Sequence, residues 1–125
     1  MKIMIDVTEK EQLLKLLSTT KVMNSRQRAN QNFLKLKLSE SITCERGQTP
    51  DKVISLGKMI NIKTSFGYKY GLKLVLPADA DMRVNKLSIL SSLGVALFGA
   101  AEGSIISWFR DDEIESVEII KVLKL

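Results

Sequence analysis

The stretch Ile60-Asn61-Ile62-Lys63-Thr64-Ser65-Phe66-Gly67-Tyr68-Lys69-Tyr70-Gly71-Leu72-Lys73-Leu74-Val75-Leu76 decides what kind of fold this chain adopts. Apolar and polar residues alternate with a period of two up to Thr64, and Ser65-Phe66-Gly67 offers a turn. Tyr68, Tyr70, Leu72, Leu74 and Leu76 then fall on one face of an extended strand, which predicts five large side chains lying over a core.

Downstream the pattern stays short and β-rich. Residues 77–86 are polar and read as a loop, and Leu87-Ser88-Ile89 as a short strand. The run Ser92-Leu93-Gly94-Val95-Ala96-Leu97-Phe98-Gly99 reads as a two-turn helix ended by Gly99. Residues 104–109 and 114–123 form two closing strands around an acidic turn at 110–113.

Upstream of Lys52 the period is closer to 3.6. Ile3-Met4-Ile5 is a brief apolar run, and Thr8-Glu9-Lys10-Glu11 has the form of a capping box, predicting a helix from about Glu9. Leu13, Leu14, Leu16 and Leu17 give that helix an apolar stripe, and Ser18-Thr19-Thr20 weakens it. A second helix is predicted over 25–39, with Ala29, Phe33 and Leu36 at spacings of four and three, although Leu34-Lys35-Leu36-Lys37-Leu38 also alternates as a strand would. Cys44 to Asp51 contains Gly47 and Pro50 and reads as a linker. The expected architecture is α+β: a short N-terminal helical hairpin over 1–50, then an antiparallel sheet wrapped around one short helix over 51–125.

The chain has 125 residues, no histidine and one cysteine, Cys44. Cys/His zinc sites, His-dependent nucleophiles and an internal disulfide are thereby excluded. A lone cysteine, a charged N-terminus unlike a signal peptide and the lack of a long apolar run predict a cytoplasmic protein with no membrane partner. The net charge is +5, of which residues 1–52 hold +4, from ten Lys/Arg against six Asp/Glu. Phe33 is the one aromatic residue before Phe66, so nothing in this basic segment supports base stacking, and solvated helices account for its charge.

Four segments in order carry a family resemblance: Val53-Ile54-Ser55-Leu56-Gly57-Lys58, Leu74-Val75-Leu76-Pro77-Ala78-Asp79-Ala80-Asp81, Lys86-Leu87-Ser88-Ile89-Leu90-Ser91-Ser92-Leu93-Gly94-Val95-Ala96-Leu97-Phe98-Gly99, and Glu102-Gly103-Ser104. Together they resemble the C-terminal domain of the GreA/GreB transcription elongation factors. The Rnk type, the regulators of nucleoside diphosphate kinase, is the nearest variant, with a similar P-A-D-A-D loop and a short helical N-terminus. The resemblance implies an FKBP-like fold and a protein partner, RNA polymerase, bound at the rim of its secondary channel. Any contact with DNA or RNA is then indirect, through the polymerase. It also implies a docking segment at the start of the short helix, where an aspartate, a serine and a proline are usual. Here those positions are Leu90, Ser91 and Ser92, and Leu93 follows, so the serine alone is retained.

Longer members carry acidic residues at the tip of a coiled coil to assist transcript cleavage, which requires carboxylates to hold a second magnesium ion. The tip here, Ser18-Thr19-Thr20-Lys21-Val22-Met23-Asn24-Ser25, has none. Helices of this length reach only about 20–24 Å. The expectation is a regulator that acts by occupancy, with no catalytic residues, no metal and no cofactor; the alternative is an interaction module for another protein such as nucleoside diphosphate kinase. Solvated turns account for Asp79 and Asp81 and for the Asp111 to Glu118 cluster, and core packing for Trp108, Phe109, Tyr68 and Tyr70, which argues against a prolyl isomerase. The sequence leaves the oligomeric state open.

Overall fold

The computed structural model describes residues 3–124, which fall into two compact units, Met1–Pro50 and Asp51–Leu125. The first unit runs β1 (Met4–Asp6), α1 (Val7–Thr19), α2 (Ser25–Ser39), β2 (Ile42–Cys44). β1 and β2 pair in parallel, Ile5 opposite Thr43, at the base of the helical hairpin.

Asp6, not Thr8, caps α1. Its Oδ1 accepts from the backbone N–H of Thr8 at 2.6 Å and of Glu9 at 3.2 Å, while Oδ2 accepts from Gly47 N–H at 2.6 Å. A carboxylate at the N-cap satisfies two free donors and the third bond ties the linker to the helix start, so the helix begins two residues earlier than the capping-box spacing predicts. At the other end the hydroxyls of Ser18 and Thr20 donate to the Lys15 and Leu16 carbonyls, each at 2.7 Å, competing with the helical ladder where α1 stops. Asn24 caps α2 by accepting from Gln27 N–H at 2.9 Å, and Gln27 Oε1 in turn accepts from Met23 N–H at 2.7 Å.

α2 spans the predicted 25–39 but turns a different face inward. Leu34 and Leu38 are fully buried beside Leu13, Leu17 and Ile5 of the same unit, whereas Phe33 and Leu36 are more than half exposed. Two apolar stripes compete on this helix, and the one with i, i+4 leucines packs.

The second unit holds a five-stranded sheet in the order β5-β4-β3-β7-β6, built from β3 (Met59–Thr64), β4 (Gly67–Val75), β5 (Lys86–Ser88), β6 (Ile105–Arg110) and β7 (Glu113–Leu123). It is antiparallel apart from β4–β5, whose connection passes through two 3₁₀ turns, Pro77–Asp79 and Met82–Val84, and so returns to lie parallel. α3 (Ser92–Leu97) contributes Val95, Leu97 and the following Phe98 to a core completed by Ile60, Ile62, Leu72, Leu74, Val117, Ile119 and Val122. The result is the α+β architecture that the periodicities imply, a curled sheet with one short helix.

The five-residue face predicted for β4 is broken. Ile60 pairs with Leu72 but Ile62 with Lys69, so β4 carries an extra residue at Tyr70-Gly71. Gly71 has φ +72°, the left-handed conformation of a bulge, and its N–H donates to Asn61 Oδ1 at 2.9 Å. The extra residue inverts the alternation: Leu72 and Leu74 face the core, while Tyr68 and Tyr70 are exposed on the opposite side. β7 bulges across from the same point, since Asn61 pairs with Lys121 and Ile62 with Ile119. The β6–β7 hairpin closes through Asp111-Asp112, both at positive φ, as a two-residue turn matched to strand twist demands.

Candidate docking site at the start of the short helix

The loop from β5 into α3 is held by a compact set of bonds centred on two serines. Ser88 Oγ accepts from Leu90 N–H at 3.1 Å, and the Ser88 carbonyl accepts from both Ser91 N–H at 3.1 Å and Ser91 Oγ–H at 2.7 Å. Ser91 Oγ in turn accepts from Gly94 N–H at 3.0 Å, which makes it the N-cap of α3. Gly94 is required by close approach, since a Cβ there would overlap the Ser88 carbonyl oxygen.

Leu90, Ser91, Ser92 and Leu93 are therefore contiguous, half-buried and fixed on a rigid turn. Ser91, the one residue that keeps the family's usual type, directs its hydroxyl into the loop. Its role in this fold is to shape the ridge. The inward side of α3 is Gly94, Val95 and Leu97, with Leu93 and Ala96 only half-buried. Leu93 is thus partly exposed beside Leu90, Ser91 and Ser92, although helical spacing alone groups it with Leu97 in the core.

Two neighbouring features that the sequence singles out are structural. Arg83 donates to Asp81 through Nε and an Nη, both at 3.0 Å, and this pair holds the Asp81 carboxyl below its ordinary pKa. Glu102 accepts from Val122 N–H at 2.9 Å, which lowers its pKa and ties the Glu102-Gly103-Ser104 turn to β7. Sequence reasoning missed Lys58, a buried ammonium that donates to the Val53 carbonyl at 2.7 Å. The apolar neighbours of an otherwise ordinary lysine are the only sign of it in the sequence.

At the far end of the first unit, residues 20–24 join the two helices. That tip contains Lys21 and the well-exposed Met23 and has no carboxylate. Among the described residues no group of Cys, Asp and Glu could hold a metal ion, and no helix is long and apolar enough to cross a membrane.

Comparison with known proteins agrees with this geometry. The family "Transcription elongation factor, GreA/GreB, C-term" matches residues 49–124. Among solved structures, the prokaryotic transcription elongation factor GreA/GreB from Nitrosomonas europaea superposes with a TM-score of 0.80 at 27% identity, covering 99% of each chain. GreA factor homolog 1 of Thermus thermophilus gives a TM-score of 0.50 at 19% identity, covering 99% of this chain and 100% of that one, and Thermus aquaticus Gfh1 gives 0.53 at 18%, covering 98% and 99%. These last two speak to the fold alone. A sequence search of curated proteins finds no match. With the family's C-terminal domain spanning the whole second unit, and a similar factor matched from end to end, this chain belongs to the GreA/GreB transcription elongation factor family.

Proposed function

We propose that the protein is an RNA polymerase-binding regulator of elongation that docks near the secondary channel through Leu90, Ser91, Ser92 and Leu93 and does not promote transcript cleavage. The observation that carries this reading is the family match over 49–124, a stretch that includes Leu90 to Leu93. The apolar pair Leu90 and Leu93 replaces part of the usual polar contact, and a rigid turn presenting half-buried leucines suits the core of a protein interface.

Occupancy in place of cleavage follows from the tip. Residues 20–24 offer no carboxylate to share a magnesium ion, and α1 and α2, with 13 and 15 residues, span about 20 and 23 Å. A short arm of this kind is what the Rnk type also has. The working place of such a factor is the cytoplasm, beside the polymerase.

The test is binding of the full chain to bacterial core RNA polymerase. Binding that falls tenfold or more in Leu90→Lys, with the fold retained, supports the reading. No binding at about 10 µM, where partners of this class associate, would sink it. On stalled elongation complexes the transcripts keep their length; shortened RNA would refute the occupancy mechanism.

A further inference from the structure

The outer face of the five-stranded sheet is used neither by the core nor by the docking loop. Strand register defines one row across it: Tyr68 on β4 pairs with Lys63 on β3, Lys63 with Glu118 on β7, and Glu118 with Ile105 on β6. Directly paired residues point to the same side, so these four side chains share one face. The position of the Lys63 ammonium, 5.5 Å from the centre of the Tyr68 ring, agrees.

Read across the strands, the row is aromatic, cation, anion, aliphatic. A twofold axis parallel to the strands and midway between β3 and β7 exchanges β3 with β7 and β4 with β6. Under that operation Lys63 of one copy meets Glu118 of the other, Tyr68 meets Ile105, and both contacts occur twice. A row that becomes its own complement under a twofold rotation is what an isologous interface needs. Relief completes the match. Tyr68 and Tyr70 stack with centroids 5.8 Å apart and planes at 8°, forming a ridge on one side of the axis. A groove of about 560 Å³ begins beside it at Lys63 and Thr64 on β3 and runs across the axis to Ile114, Ser116 and Glu118 on β7 and Ile105 on β6. Tyr68, Tyr70, Ile105, Phe109 and Ile114 are 54–69% exposed.

We infer that this face is a homodimer interface, in which the tyrosine ridge of one copy fills the groove of the second and the two sheets pack with their strands aligned. The occupant is a second copy because the charges supply both halves of the contact. On this face the cation is Lys63 and the carboxylate is Glu118, both exposed and directly paired on neighbouring strands. Four strands span only about 15 Å, so the contact is at the small end of specific interfaces and the dimer dissociates on dilution.

The inference is independent of polymerase docking, and sedimentation equilibrium of the full chain from about 5 to about 500 µM tests it. The apparent mass is expected to rise from 14.0 kDa toward twice that value, with a midpoint of roughly 10–100 µM. Ile105→Lys should weaken association at least tenfold. Lys63→Glu and Glu118→Lys should each weaken it, and the double swap should restore it, because like charges then meet in neither copy. Monomer at every concentration overturns the proposal, as does a dimer unaffected by these substitutions. If the chain stays monomeric and Ile105→Lys instead reduces polymerase binding, the face belongs to the polymerase and the homodimer is again refuted.

Discussion

Gly94 and Ser91 show how much of the loop between β5 and α3 rests on single atoms. Any side chain at 94 would overlap the Ser88 carbonyl, and that carbonyl already accepts two bonds from Ser91. Gly94→Ala is expected to destabilise by the upper part of the ~1–3 kcal/mol usual for overpacked sites, read as a loss in denaturation midpoint. Ser91→Ala removes a cap and should cost about 1 kcal/mol, with polymerase binding reduced more than stability if the loop's shape is what docks. Asp6 makes a different prediction. Its carboxyl lies below the ordinary value, chiefly because Gly47 N–H donates to it and also through the N–H groups of Glu9 and Thr8. A lowered folded pKa means that the contribution is complete above the unfolded value of about 3.9 and is lost as pH falls through the folded one. Asp6→Asn should therefore be less stable than the parent at pH 6 and indistinguishable from it near the acid limit, as urea titrations at several pH values would show. Equal stability at pH 6 would deny the carboxylate this role.

At the level of elements, α2 separates what the sequence announces from what packing decides. Its limits, 25–39, are legible from apolar spacing, but the spacing is satisfied twice, by Ala29, Phe33 and Leu36 and by Leu34 and Leu38. Only the neighbours settle the choice, and Leu13 and Leu17 on α1 meet the second set within the same unit. Leu34→Ala should cost about 2–5 kcal/mol, whereas Phe33→Ala should stay within roughly 0.5–1 kcal/mol, since Phe33 is already 51% exposed and gives up chiefly the Lys37 ammonium 5.2 Å from its ring. The reverse order in thermal melts would restore the outer stripe as core. β4 teaches the same lesson for strands. Its existence, its turn and the buried Leu72 and Leu74 are legible from alternation, while the inversion at Gly71 depends on an unpaired residue that a period-two count cannot contain. That Leu90 to Leu93 should dock on a partner is an expectation from the family resemblance alone. Nothing in the local pattern distinguishes Leu93 on the ridge from Leu97 in the core, because helical spacing groups them together.

On the scale of the whole molecule, the two units draw on separate sets of elements and bury very different amounts of apolar surface. The second takes core residues from four strands and α3, including Ile60, Leu74, Leu87, Leu97 and Val117, and adds Ile54, Ile89 and Phe98 from the connecting segments. The first relies on little more than Ile3, Ile5 and four leucines, around helices of 13 and 15 residues that are marginal alone in water. A chain of 75 residues can bury close to two-thirds of its extended surface, and one of 50 distinctly less. Residues 51–125 expressed alone should consequently melt cooperatively by near-ultraviolet circular dichroism, while residues 1–50 alone should show weak helicity and no transition. If the proposed docking segment, Leu90 to Leu93, is the main contact, polymerase binding should persist in the 51–125 fragment, which contains it. Loss of binding in a fragment that still melts cooperatively would transfer the main contact to the basic hairpin, where +4 of the net charge resides, and binding should then weaken steeply with added salt.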